Sequence, residues 1–349
     1  MSSRHRAETA TYSEILTQPG AWQEALEIVT QQTDALLACW AGDYANVIFT
    51  GCGSTYYLSL AAAALFQKLT GRLAKGVPGG ELMMYPTAAY ASEGPTLLVA
   101  LSRSAETTET LLAVKGFLQH QRGDVITVTN YGHRPLAEMG MVNLVIPAGQ
   151  ERSVAQTRSF ASMYVATTAI AATLAGRQDL LQSMHRLPEH GQRLIAAYEG
   201  SAQALGSDLA LDRFYFLGSG PRYGLACEAN LKMKEMSLTH SEPFHFLEFR
   251  HGPKSMVCSS ALVIGLLSQT NFPSEAAVLR EMQSLGARTL SIGESATDIA
   301  FASQLPAPVR NVLYLPVLQL MAYYRALSKN LDPDHPHNLE AVVKLEGES

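Results

Sequence analysis

Asn46-Val-Ile-Phe-Thr-Gly51-Cys-Gly53-Ser-Thr55 is a short apolar run that ends in a glycine-rich turn, and residues 56–69 continue as an apolar helix. Strand, turn and helix in succession form the unit of a parallel α/β sheet, whose ligands lie outside the carboxyl ends of the strands. The alternation extends outward from there. Ala74–Pro78 reads as a strand. So does Thr96-Leu-Leu-Val-Ala-Leu101, which ends in Ser102-Arg-Ser104-Ala-Glu-Thr107-Thr108 and enters a helix through about Gln119. Residues 124–129 and 142–146 are further buried strands, and residues 156–175 form a long helix rich in alanine and threonine. Residues 1–40 read as helical and peripheral, with an amphipathic stretch at 21–30 and a break before it at Pro19-Gly20.

The pattern repeats. Asp212-Arg-Phe-Tyr-Phe-Leu-Gly218-Ser-Gly220 echoes the strand and turn at Gly51-Cys-Gly53, and Ala261-Leu-Val-Ile-Gly-Leu-Leu-Ser268 echoes the strand ending at Ser102. Gly51 to Ser102 spans 51 residues and Gly218 to Ser268 spans 50. Two echoes in register argue for duplicated α/β domains. The resulting division is an N-terminal helical segment over 1–40, a first domain over 41–180, and a second over 181–349 with a connector helix and an extended tail. Within the second half, residues 288–292 read as a strand and 309–327 as one helix.

Glu228-Ala-Asn-Leu-Lys232-Met-Lys-Glu235, running on to His251-Gly252-Pro253, reads as a helix followed by a short irregular arm. Glu228, Lys232 and Glu235 stand at i, i+4 and i+7, on one helical face. Proline at 253 restricts the backbone of the residue before it. A carboxylate, an ammonium and an imidazole from one segment can supply proton abstraction, charge compensation and acid/base shuttling. The same spacing also describes an exposed helix face whose Glu–Lys pair contributes ~0.3 kcal/mol. His240, His245 and His251 are five and six residues apart, not the i, i+4 spacing of helical ligands, and no cysteine lies in register, so no metal site is read here.

Composition narrows the partners. At 349 residues, with 47% hydrophobic and 16% charged residues, the chain is globular and long enough for two domains. A net charge of −5 argues against nucleic acid or an anionic membrane as partner. Four scattered cysteines, Cys39, Cys52, Cys227 and Cys258, form neither a zinc pattern nor a disulfide framework, which points to a reducing cytoplasm. The first residues lack the apolar core of a signal peptide, and no apolar run is long enough to span a bilayer.

An anion would therefore be held locally. Thr55, Ser102, Ser104 and Thr107 lie at strand ends entering helices, where unpaired N–H groups and the helix dipole favour a phosphate and hydroxyls add donors. Such residues also cap helices for purely structural reasons. The second half, with Gly218-Ser-Gly-Pro221 and Ser268-Gln-Thr-Asn, carries fewer hydroxyls. The phosphate is accordingly expected in the first domain and the proton chemistry in the second.

These motifs, with the tail Asp332-Pro-Asp-His-Pro-His-Asn-Leu339, resemble the sugar isomerase (SIS) domain family over roughly residues 40–346. More narrowly, they resemble the isomerase half of glucosamine-6-phosphate synthase and its deaminase and deglycase relatives. The resemblance implies two tandem SIS domains, each a flavodoxin-like three-layer sandwich with a parallel sheet flanked by helices. It implies a hexose 6-phosphate substrate, no cofactor, and a homodimer, or a tetramer of paired dimers, whose site is shared between subunits. By position, Gly53, Ser54, Thr55, Ser102, Arg103, Ser104, Thr107 and Gln156 would bind the phosphosugar. Glu235 would move a proton between C1 and C2, His251 would serve ring opening in the neighbouring subunit's site, and Lys232 and Glu228 would support them.

Three departures matter. The synthase's amidotransferase domain with its N-terminal cysteine is not matched here, so no ammonia would be generated internally and the chain would not be a complete synthase. The synthase's Schiff-base lysine falls at Ala341, and Lys344, three residues on, points to the opposite side of an extended chain. Such a site suits a substrate that already carries an amine, and so favours cleavage of a C–N bond over simple aldose–ketose isomerisation or phosphosugar sensing. Arg103 replaces glutamine and Arg158 replaces lysine. Arg103 could pair with the phosphate or with the carboxylate of an attached amino acid, or turn to solvent; Arg158 carries the same choice.

Overall fold

The computed structural model describes residues 9–90, 94–120, 122–343 and 345, which carry two parallel five-stranded sheets. The first comprises β1 (Asn46–Gly51), β2 (Ala74–Pro78), β3 (Thr96–Ser102), β4 (Gly123–Thr129) and β5 (Val142–Val145), in the order β2-β1-β3-β4-β5. The second comprises β6 (Arg213–Leu217), β7 (His240–Phe244), β8 (Ala261–Leu266), β9 (Arg288–Gly293) and β10 (Ile299–Ala300), in the order β10-β9-β8-β6-β7. Read from β7, the second order repeats the first. Each sheet reverses direction between its first and third strands (β1/β3 and β6/β8), the switch point where doubly wound sheets bind ligands.

The described residues within Thr17–Glu151, Arg158–Arg186 and Glu340–Ser349 form one compact unit with the first sheet, and those within Met1–Leu16, Arg152–Thr157 and Leu187–Leu339 form another with the second. In the first unit all seven residues of β3 are buried, and the Ser54–Thr70, Thr108–Gln119 and Arg158–Leu174 helices supply the outer layers. Ile48, Leu98, Val114, Phe117 and Val125 belong to one core cluster there. In the second unit Tyr215, Phe246, Phe249, Val263 and Met282 do the same. Central strands buried on both faces read as unbroken apolar runs, which is why they are legible without alternation.

Several expectations need correction. Pro19 does not break the first helix, which runs Ala10–Gln31. Pro19 removes one backbone donor, at a cost of about 3 kcal/mol in a helix interior, but Ile15, Trp22, Ala25, Leu26 and Val29 are all buried and outweigh it. For the same reason the Ala10–Gln31 helix is not peripheral. The long helix starts at Arg158 rather than at 156. The arm after Ser237 is not wholly irregular, because it contains β7, paired to β6 alone. Pro243 is tolerated there because an edge strand has one side that need not donate. The single helix expected at 309–327 is three pieces, Ala307–Arg310, a 3-10 turn at Asn311–Tyr314, and Leu315–Ser328. Pro316, in the first turn of the last piece, explains the restart.

Candidate functional site

At the end of β1, an added Cβ on Gly51 would lie 2.8 Å from the Leu101 carbonyl oxygen, so only glycine fits between the two strand ends. Gly53 then takes φ +58, and the Ser54–Thr70 helix begins. The Thr55 hydroxyl closes this turn on itself, accepting the Cys52 N–H at 2.9 Å and donating to the Cys52 carbonyl at 2.9 Å. Ser54 and Thr55 are both buried.

The exit from β3 gathers three hydroxyls. Ser102 Oγ accepts the Ala105 N–H at 3.1 Å and Ser104 Oγ accepts the Glu106 N–H at 3.2 Å. Thr107 Oγ1 lies 3.4 Å from each of those oxygens. Thr107 is the N-cap residue of the Thr108–Gln119 helix, yet its side chain makes no capping bond. Its hydroxyl and the first-turn N–H groups therefore form a cradle suited to an anion. Ala105 holds φ +57 while fully buried. Arg134, which sequence reading missed, donates to the Ser104 carbonyl at 3.1 Å and pairs with Glu106 at 2.7 Å, bringing a cation to the rim.

Arg103 is not turned to solvent. It is 6% exposed, donates Nη2 to the Ala341 carbonyl at 2.7 Å, and lies 3.9 Å from the Glu151 carboxylate. Position 341 is thus tied to the β3 turn through its backbone. Lys344 lies outside the described residues. Arg158 is likewise engaged, donating to Thr17 Oγ1 at 2.8 Å and to the Gln150 carbonyl. Gln156 is half-buried in the Arg152–Thr157 segment, which groups with the other sheet.

The second cluster sits on the Pro221–Ser237 helix. It is not an exposed ion-pair face: Glu228 and Lys232 are 0% and 1% exposed, and the Glu235 side chain is 19% exposed. Lys232 Nζ stands 3.3 Å from Glu228 Oε1 and 2.5 Å from Glu235 Oε2. Burial opposes the charge on Lys232, but the two carboxylates outweigh it and raise its pKa, so the ammonium persists. A buried cation with one fully enclosed carboxylate and one partly open carboxylate presents a single oriented base.

His251 is exposed, just after the Glu248–Arg250 turn, with its N–H bonded to the Glu248 carbonyl at 2.9 Å. Glu235 instead lines a cleft of about 210 Å³ with Leu331, Asp332, His335 and His337. Asp332, His335 and His337 lie in the tail segment Asp332–Leu339, and sequence reading gave none of them a role. His245 stacks on Tyr223 with ring centroids 3.8 Å apart, and burial lowers its pKa. Among the described residues, no three His, Cys, Asp or Glu side chains cluster as a metal site, and no helix is long and apolar enough to cross a membrane.

A family model described as the SIS domain matches residues 43–173 and 211–327. The chain belongs to the SIS domain family. Its two matched stretches correspond to the two parallel sheets, one SIS domain each. The chain is 25% identical over 335 residues to glutamine–fructose-6-phosphate aminotransferase (isomerizing) of Methanothermobacter thermautotrophicus, covering 93% of this chain and 54% of the relative. It is 30% identical over 313 residues to the enzyme of that name from Sulfolobus acidocaldarius, covering 86% and 50%. The SIS chain thus spans about half the length of these relatives. A solved structure of glucosamine-6-phosphate deaminase from Thermotoga maritima aligns with TM-score 0.77 at 30% identity, covering 97% of this chain and 100% of that one. Tagatose-6-phosphate ketose/aldose isomerase from Escherichia coli aligns with TM-score 0.83 at 22% identity, covering 95% and 98%, and shares the fold.

Proposed function

We propose that this SIS protein cleaves the C–N bond of an aminated hexose 6-phosphate, a fructosamine or glucosamine adduct or a simple amino sugar phosphate. The observation that carries the reading is the buried Glu228–Lys232–Glu235 triad, which leaves one carboxylate partly open at a cleft. In this reading the Ser102, Ser104 and Thr107 hydroxyls, with Gly53, Ser54, Thr55 and Gln156, serve the phosphosugar. Glu235 removes the proton next to the carbonyl and returns it to the neighbouring carbon. The product is an imine, which water hydrolyses to sugar phosphate and free amine. Ala341 in place of a Schiff-base lysine supports a substrate that brings its own nitrogen. The names of the relatives, an aminotransferase and a deaminase of hexose phosphates, support the substrate class.

His251, exposed on its loop, serves ring opening in a partner subunit's site, and the working form is a homodimer. The four free cysteines suit a reducing cytoplasm.

The test is a product assay with fructoselysine 6-phosphate, glucoselysine 6-phosphate, glucosamine 6-phosphate and fructose 6-phosphate. Release of amine or ammonia with a hexose phosphate supports the reading; interconversion of hexose phosphates alone replaces it with aldose–ketose isomerisation. Glu235→Gln is expected to lower turnover by about 10²–10⁴-fold while binding of the phosphosugar persists. Unchanged turnover removes Glu235 as the base.

A further inference from the structure

We propose that His335, held by Asp332 in the cleft that Glu235 lines, gives the proton to the departing amine nitrogen when the C–N bond breaks. The inference rests on the C–N cleavage proposed above and assigns a donor for a step that enolisation by Glu235 does not cover.

The cleft of about 210 Å³ has Glu235 and Leu238 on one wall and Leu331, Asp332, His335 and His337 on the other. That second wall is anchored. The Asp334 carboxylate accepts the backbone N–H groups of Ala10 at 2.8 Å and Thr11 at 2.7 Å, and the Thr11 hydroxyl at 2.6 Å. The Asp334 carbonyl accepts the Val154 N–H at 3.0 Å. Within this pinned bend, Asp332 Oδ1 accepts the Asp334 N–H at 2.9 Å and Oδ2 meets His335 Nδ1 at 3.0 Å. One carboxylate therefore sets both the backbone turn and the imidazole. With Nδ1–H donated to Asp332, Nε2 is the nitrogen that exchanges a proton. The His335 side chain is 76% exposed, so solvent can reload it. His337 shares the cleft, but the ring that Asp332 orients is that of His335.

The step balances. Proton transfer by Glu235 yields the imine, and water adds to it, giving a carbon that bears both hydroxyl and amine. The C–N bond then breaks with its electron pair going to nitrogen, which takes the Nε2 proton of the His335 imidazolium. The hydroxyl oxygen becomes the carbonyl and releases its proton to solvent, and the imidazole is reprotonated from solvent. Substrate plus water becomes sugar phosphate plus free amine, with no other reactant.

The experiment follows the full chain in D2O with fructoselysine 6-phosphate and with glucosamine 6-phosphate, measuring amine released and deuterium incorporated into the sugar. H335Q is expected to lower the ratio of amine to deuterium by ~10²-fold. D332N, which keeps the ring and removes its orienting charge, lowers the same ratio by about 10-fold. Both ratios at the wild-type value overturn the assignment of His335 while leaving C–N cleavage standing. A wild-type protein that incorporates deuterium and releases no amine from either compound overturns the C–N reading, and the role of His335 with it.

Discussion

The two sheets end in turns of the same shape with opposite chemistry. After β1 and after β6, a glycine packs against backbone and a second glycine follows in the same positive-φ conformation, Gly53 at φ +58, ψ −123 and Gly220 at φ +58, ψ −135. The third strands differ. β3 leads into three clustered hydroxyls, whereas the Ser268 N–H after β8 donates to Glu275 Oε2 at 2.5 Å. Glu275 in turn pairs with Arg222 at 3.1 Å, and Arg222 Nε donates to the Leu266 carbonyl at 3.0 Å. The second switch point has thus installed its own carboxylate on the backbone N–H of the turn, while the first offers donors to an incoming anion. Duplication preserved the backbone; side chains set the two turns apart, with clustered hydroxyls at one and an internal carboxylate at the other.

Breaking the occupied copy is expected to have the largest effect on stability. Glu275→Ala removes a buried carboxylate and takes from the partly buried Arg222 its partner, and should lower unfolding free energy by about 3 kcal/mol in urea titrations. Closing the open copy comes next. Ser104→Asp puts a carboxylate where the phosphate is expected, and at ~4 Å and an effective dielectric of ~20 the repulsion is about 4 kcal/mol. Calorimetry with a hexose 6-phosphate should show binding lost in a variant that circular dichroism shows to be folded. Binding that survives would move the phosphate elsewhere.

The shared backbone can be tested by symmetry. Gly53→Ala and Gly220→Ala each force a side chain into a region open to glycine, costing roughly 1–3 kcal/mol. A cost at one turn but not the other would mean that the two copies have diverged in backbone as well. The smallest effect concerns His245, in the second unit. Burial lowers its pKa, so the unfolded chain takes up the proton first as pH falls below about 6.5. Stability is therefore lost on acidification through that range, and the loss levels off below the folded pKa. His245→Phe should flatten the change in melting temperature between pH 7 and pH 5.

Much of the fold was legible because central strands are unbroken apolar runs and their turns need glycine. Strand ends were read to within a residue or two at β3, β4, β8 and β9. Local signals misled where burial overrides them, as at Pro19 inside the first helix, or where a proline restarts a helix within an apolar stretch, as at Pro316. The face shared by Glu228, Lys232 and Glu235 followed from helical period alone, but period cannot tell a solvated face from an enclosed one. Arg103, Glu275 and Asp334 were illegible in a different way. Their partners lie far along the chain or on the backbone, and no spacing rule encodes a carboxylate that meets a main-chain N–H by tertiary contact.

The Asp334 carboxylate at the start of the Ala10–Gln31 helix has a consequence for how the chain is made. The bond from Ala10 spans 324 positions in sequence. On a ribosome adding ~5–20 residues per second, residue 10 waits roughly a quarter of a minute to a minute before its partner is synthesised. During that interval the helix start must be solvated or otherwise occupied. Closing it is a clasp that cannot engage until Asp334, 324 positions further along the chain, has been made.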